Sequence, residues 1–204
     1  DLWDNMPKEV KQLFKITESD DTSMTLSYKK SKSGSFVSPE EDGRSEKLTE
    51  SAALMFKNVK SKLTVAQKNA IADSMGFPLS KNKQQFIMEA DDADYPFDEM
   101  IYPTDLNKDG MEEIFVIWGN TFTSGITGSS VNLFIKNKSG EYISNLGFPA
   151  CCIQALATIN QGYPDLLIGG PGMQFPIWRW NGKEYDFYKQ IKGEDYEKFK
   201  KTDI

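Results

Sequence analysis

Residues 105–113 read Asp-Leu-Asn-Lys-Asp-Gly-Met-Glu-Glu, a spacing suited to capturing a hard cation. Side-chain oxygens fall at alternate positions, on Asp105, Asn107 and Asp109, and a carboxylate closes the run at Glu113. Calcium takes about six to eight oxygen ligands, and a tight loop can supply them from alternate residues plus a backbone carbonyl. Gly110 permits the sharp turn because it adopts positive φ without steric cost. The carbonyl of Met111 would then face the ion. The competing chemistry is an Asx-rich turn, in which Asp and Asn bond their own backbone and no metal is required.

An EF-hand would need a bidentate Glu at the twelfth loop position. That position is Val116, which cannot ligate, and the residues after the loop, Ile114 to Trp118, form a β-branched and aromatic run rather than an amphipathic helix. A closing acid followed at once by a strand resembles the FG-GAP and VCBS-type repeats of integrin-like β-propellers and of many secreted bacterial proteins. In those, an Asp-x-Asn-x-Asp-Gly-x-x-Asp/Glu loop joins two strands and binds calcium. The resemblance covers the loop and its following strand, in the C-terminal half only. It implies Ca2+ held by Asp105, Asn107, Asp109, the carbonyl of Met111, and Glu113. A loop of millimolar affinity would fill only where free calcium is abundant, so the expected location is extracytoplasmic: periplasmic, secreted or envelope-anchored.

Other chemistry is thin. The chain has no histidine, which removes Ser-His-Asp and Cys-His catalysis and most zinc sites. Cys151 and Cys152 are adjacent and read as small apolar members of a buried strand rather than a disulfide or a redox switch. Six carboxylates crowd residues 89–99, which reads as a solvated acidic loop, with a second cation site or a general acid and base pair as the alternatives. The Gly/Ser/Thr-rich stretch 120–130 carries two apolar residues, Phe122 and Ile126, and is a candidate binding loop. Ser139-Gly140-Glu141-Tyr142 resembles the Ser-Gly-x-Tyr loop that periplasmic lysozyme inhibitors insert into a lysozyme cleft. That resemblance would make Ser139 and Tyr142 contact residues.

The elements that must position these residues change character near residues 80–100. Residues 1–82 read as helix-rich and 83–204 as β-rich, two parts that can pack as one unit. Pro7 suits a first helical turn, Met24, Leu26 and Tyr28 alternate as a strand, and residues 30–46 read as a polar loop. One helix is expected from about Glu50 to Lys62, with Ala53, Phe56, Val59 and Leu63 near helical spacing. A second opens with the capping box Thr64-Val65-Ala66-Gln67 and stops at Gly76 before Pro78. The β-rich part repeats weakly: Glu113 to Gly119 and its following segments match Asp165 to Gly169 and theirs. The second copy lacks the Asp-x-Asn-x-Asp oxygens. Two copies cannot close a propeller, which needs about 4 to 8 blades. Asn181-Gly182 signals a two-residue hairpin that would pair Arg179 with Glu184 and Trp178 with Tyr185.

The expected fold class is therefore α+β, with an N-terminal helical segment packed on a C-terminal antiparallel β-sheet or sandwich built from two weak repeats. A net charge of −6 argues against nucleic acid. No apolar run approaches the roughly 18 residues that span a bilayer. The function expected is that of a non-enzymatic, calcium-stabilised binding protein with a protein or glycan ligand. The alternative is a periplasmic inhibitor or immunity-type protein directed at a lysozyme-like hydrolase.

Overall fold

Threonines open the first two described helices of the chain, whose computed structural model describes residues 47–89, 94–170, 175–192 and 201–202. The expectations for Pro7, for Met24 to Tyr28 and for the loop at 30–46 lie outside the described residues. Helix α1 spans Glu50–Met55, and Thr49 caps it by accepting from the Ala52 amide at 3.2 Å. Helix α2 spans Val65–Met75 behind the complete Thr64/Gln67 capping box, and Gly76 closes it at a φ of 68°. The first helix is thus shorter than its apolar spacing suggests. Asn58 turns left-handed at a φ of 66°, and Val59 to Thr64 carry no regular structure. That extended piece places Leu63 in the core and lets the Lys62 amide donate to Glu112 Oε2 at 2.8 Å. Tertiary contact, not helical period, explains why both Phe56 and Leu63 are buried.

The described strands form two antiparallel sheets, each built on a four-strand meander in chain order. The first holds β1 (Glu99–Thr104), β2 (Glu113–Trp118), β3 (Ser130–Lys136) and β4 (Tyr142–Pro149). The second holds β5 (Cys152–Asn160), β6 (Tyr163–Gly169), β7 (Phe175–Trp180) and β8 (Tyr185–Ile191), with the two-residue β9 (Lys201–Thr202) beside β5. The two repeated units occupy matching places, β2-β3-β4 in one sheet and β6-β7-β8 in the other.

Alternation along β2 explains its unbroken apolar run, because successive side chains leave a strand on opposite faces. Ile114 and Val116 join Ala52, Met55, Phe56, Ile71, Phe86 and Phe97 in a core beneath the helices. Phe115 faces the other way, with Val131, Leu133 and Leu146, to meet Ala155, Leu166, Ile168 and Tyr185 of the second sheet. Each of these large side chains contributes about 1.5–3 kcal/mol on leaving water. The first sheet is therefore a middle layer, and the two helices between residues 50 and 75 share a core with it. No helix among the described residues is long and apolar enough to cross a membrane.

The last hairpin corrects the expected register. Trp180 pairs with Tyr185 and Arg179 with Asp186, across a four-residue connection, Asn181 to Glu184. Asn181 explains the wider turn. Its Oδ1 accepts from the amides of both Lys183 and Glu184 at 2.9 Å, a bonding that a two-residue loop leaves no room for. The aromatic face itself is core as expected, with Tyr185 buried and Trp178 packed against it.

Candidate functional site

The cation-type loop connects β1 to β2, whose ends pair directly at Thr104 and Glu113. Its polar side chains serve the backbone first. Asp105 Oδ2 accepts from the Gly110 amide at 2.9 Å, Asn107 Oδ1 from Asp109 at 3.1 Å, and Asp109 Oδ1 from Met111 at 2.8 Å. The Asn107 amide also donates to Asp109 Oδ2. Lys108 and Gly110 take positive φ, as such turns demand. Leu106 anchors the loop by entering the core between the sheets. From outside, Lys62 Nζ donates to the Gly110 carbonyl at 3.0 Å.

Glu113 lies deeper, only 2% exposed. Its Oε2 accepts from the Leu106 amide at 2.7 Å, and its Oε1 from the Tyr163 hydroxyl of the second sheet at 3.0 Å. Burial pushes its carboxyl up to about 7, the two hydrogen bonds resist that rise, and the charges of Asp109 and Asp105 add to it. Tyr163 is pushed up in turn by burial and by Glu113. One more oxygen stands out: Asp105 Oδ1 is buried and has no hydrogen-bond partner.

The second repeat shows how such a charge is balanced elsewhere in the molecule. Asp165, the counterpart of Glu113, is equally buried at 2% exposure. Arg179 clamps it through two hydrogen bonds of 2.8 and 2.7 Å, and Thr158 donates a third at 2.7 Å. Among the described residues no Lys or Arg forms an ion pair with Glu113, Asp105 or Asp109. The donors available there are all oxygens, the chemistry a hard cation takes, and one of them is orphaned. To this extent the residues fit calcium. Among the described residues, however, no three acid, Cys or His side chains are arranged to hold a metal by themselves. Asn107 and Asp109 would have to exchange their internal bonds for ligation.

The stretch after β2 is more ordered than a flexible binding loop. Asn120 caps a short helix, α3 (Thr121–Ser124), by accepting from Phe122 and Thr123. A 3-10 turn, Gly125–Thr127, follows. Buried hydroxyls tie the segment down, with Ser124 bonded to Ser130 at 2.8 Å and Thr127 to the Ser124 carbonyl at 2.6 Å. Asn120 Nδ2 also reaches the Pro96 carbonyl at 3.2 Å, which brings residues 95–96 alongside. Phe122 then stacks on Tyr95, ring centres 3.7 Å apart and 2° from parallel. Phe122 is 54% exposed, Tyr95 46% and Ile126 68%. Phe122 and Ile126 were expected as a candidate binding loop, and the fold adds Tyr95, an aromatic before proline within the acidic run, to the same exposed patch. Asp94 and Asp98, beside it in sequence, are exposed, while residues 90–93 lie outside the described residues.

The Ser139 to Tyr142 segment is not a contact loop of the expected kind. Ser139 is exposed in the β3–β4 turn, where Asn137 Oδ1 accepts from its amide at 2.9 Å. Tyr142 is buried under the helices, and its hydroxyl donates to the Glu112 carbonyl at 2.7 Å. Burial and the nearby acids push its phenol up to about 12. The Tyr142 ring therefore lies in the helix-side core rather than at the tip of the turn. Comparison of the chain with protein-family models, with curated proteins and with solved structures finds no match to any of them.

Proposed function

We propose that this chain is a calcium-stabilised, non-enzymatic binding protein that works outside the cytoplasm. Asp105, Asn107, Asp109, the Met111 carbonyl and Glu113 would hold the ion. The surface formed by Tyr95, Phe122 and Ile126 would meet a protein or glycan ligand. A bound divalent cation would supply the positive charge that Arg179 supplies to Asp165. One contrast carries the reading: the second repeat's buried acid has a resident cation in Arg179, whereas among the described residues Glu113 and the orphaned Asp105 oxygen have none. The protein's own part is to pre-form the turn through Gly110 and to anchor it through Leu106 and Tyr163.

The test is a thermal melt with calcium against a melt with chelator. Calcium at a hundred times its dissociation constant adds about 2.7 kcal/mol to a protein that binds it only when folded. The wild type is expected to shift upward and Asp109→Ala to stay flat. A wild type whose melt ignores calcium removes the metal from this reading and leaves the Asx turn in its place. The binding surface is tested separately, by glycan and protein arrays with Phe122→Ser as the control that should lose signal.

A further inference from the structure

The chain passes from the first sheet to the second at one corner, where β4 ends at Pro149 and β5 begins at Cys152. The corner is firmly held on both sides. The Ala150 amide donates to the Ser129 carbonyl at 3.0 Å, Ser129 Oγ donates to the Ala150 carbonyl at 2.8 Å, and the Cys151 amide donates to Gly169 at 3.0 Å. Both cysteines are free thiols and only half-buried, so neither is sealed in the core as the sequence suggested. Their sulfurs lie 3.3 Å apart, close enough for one thiol to hydrogen-bond the other.

We propose that Cys151 and Cys152 form a redox-active vicinal dithiol, which exchanges with small-molecule disulfides and closes reversibly to a ring at this corner. The shared hydrogen bond divides the labour. It lowers the Cys152 thiol and raises the Cys151 thiol, so that Cys152, once ionised, is placed to accept from Cys151. Cys152 is therefore the attacking thiolate, since the thiolate and not the thiol is the nucleophile. It attacks one sulfur of the incoming disulfide, whose S–S bond breaks and releases one thiolate. Cys151 then gives up its proton to water, attacks the Cys152 sulfur and expels the second thiolate. The chain loses two electrons, and the small disulfide is reduced to two thiols.

Closure is readily reversed on physical grounds. Adjacent Cα atoms across a trans peptide sit about 3.8 Å apart, below the roughly 4.4–6.8 Å that disulfides prefer. Strained disulfides are the labile, regulatory kind. The anchored neighbours decide what closure moves, because Ser129 belongs to the segment that presents Phe122 and Ile126. Oxidation would thus be felt at the exposed aromatic surface.

The experiment uses the intact native chain, oxidised glutathione as the probe, and intact-mass and maleimide readouts. The wild type is expected to lose both thiols without keeping an adduct, and to recover both with dithiothreitol. Cys151→Ser is expected to stop at a single glutathione adduct on Cys152. Cys152→Ser is expected to react at least about tenfold more slowly. A lasting adduct on the wild type, equal rates in the two variants, or thiols that react only in denaturant would each overturn the proposal. The wild-type result stands even if a serine variant folds poorly.

Discussion

Tyr163, the first residue of β6, donates its hydroxyl to Glu113 Oε1, the first residue of β2, at 3.0 Å. This bond joins the two sheets beside the cation-type loop. Its removal leaves a buried carboxyl oxygen without its donor, which costs about 1–3 kcal/mol. Tyr163→Phe should lower the stability measured by urea titration by about 1–2 kcal/mol with an unchanged slope. A loss below about 0.3 kcal/mol would mean that water replaces the phenol at no cost.

Arg179 and Asp165 should behave as a unit. Arg179→Met strands a buried carboxylate with Thr158 alone, at an expected cost of about 2–4 kcal/mol. Adding Asp165→Leu should recover much of that loss, since an apolar pair of similar volume often matches a buried ion pair. A double-mutant cycle by chemical denaturation reads the coupling, and strict additivity would show that the clamp carries no specific energy.

Glu99 predicts a pH dependence. Burial is the main cause that pushes its carboxyl up to about 7 from an ordinary 4.5, with Asp98 adding to the rise. The folded chain therefore holds this proton more tightly than the unfolded chain does. The associated stability is present below about pH 4.5 and is lost as pH climbs toward about 7. Glu113 titrates in the same direction, so the informative quantity is the difference between wild type and Glu99→Gln. The variant should be the more stable above neutrality by about 1 kcal/mol, a figure reduced for solvent screening of a half-exposed group. Parallel stability curves for the two proteins across this range would contradict the assignment.

Gly119 is a backbone position with little room for change. Its φ is +97°, and an added Cβ would lie 2.6 Å from both Ser124 Oγ and Thr123 Oγ1. These hydroxyls hold the α3 segment to the sheet. Gly119→Ala should cost about 2–4 kcal/mol through backbone strain and overpacking together. Hydrogen exchange should show the loss first in residues 120–128, and uniform protection there would refute it.

What the sequence disclosed divides by the range of the interaction. The Thr64/Gln67 box and Gly76 were legible because capping involves residues three or four apart. The burial of β2 on two faces was legible as an apolar run with no polar alternation. The first helix was overextended because Phe56 and Leu63 are held by the core rather than by a shared helical face. The final hairpin was misregistered because Asn181 spends its side chain on a wider turn. At the site, the spacing of Asp105, Asn107 and Asp109 could be read directly. The partners that give it meaning could not: Tyr163 lies fifty residues beyond Glu113, and Tyr95 stacks on Phe122 from a segment that Asn120 holds alongside. Tyr142 looked like a loop residue because its sequence neighbours are turn-formers, yet its own ring belongs to the helix-side core.

The order of the two meanders along the chain has a consequence for biosynthesis. The members of the helix-side core lie between Ala52 and Tyr142, so that layer can close before any described strand of the second sheet has been made. Each meander joins neighbours in sequence, which favours rapid local pairing. During translation at roughly 5–20 residues per second, Phe115, Leu133 and Leu146 wait several seconds for Leu166 and Ile168. For that interval the nascent chain carries an exposed oily face with an acid at its edge. A chaperone that shields the first meander should therefore raise the yield of folded protein more than one acting after release.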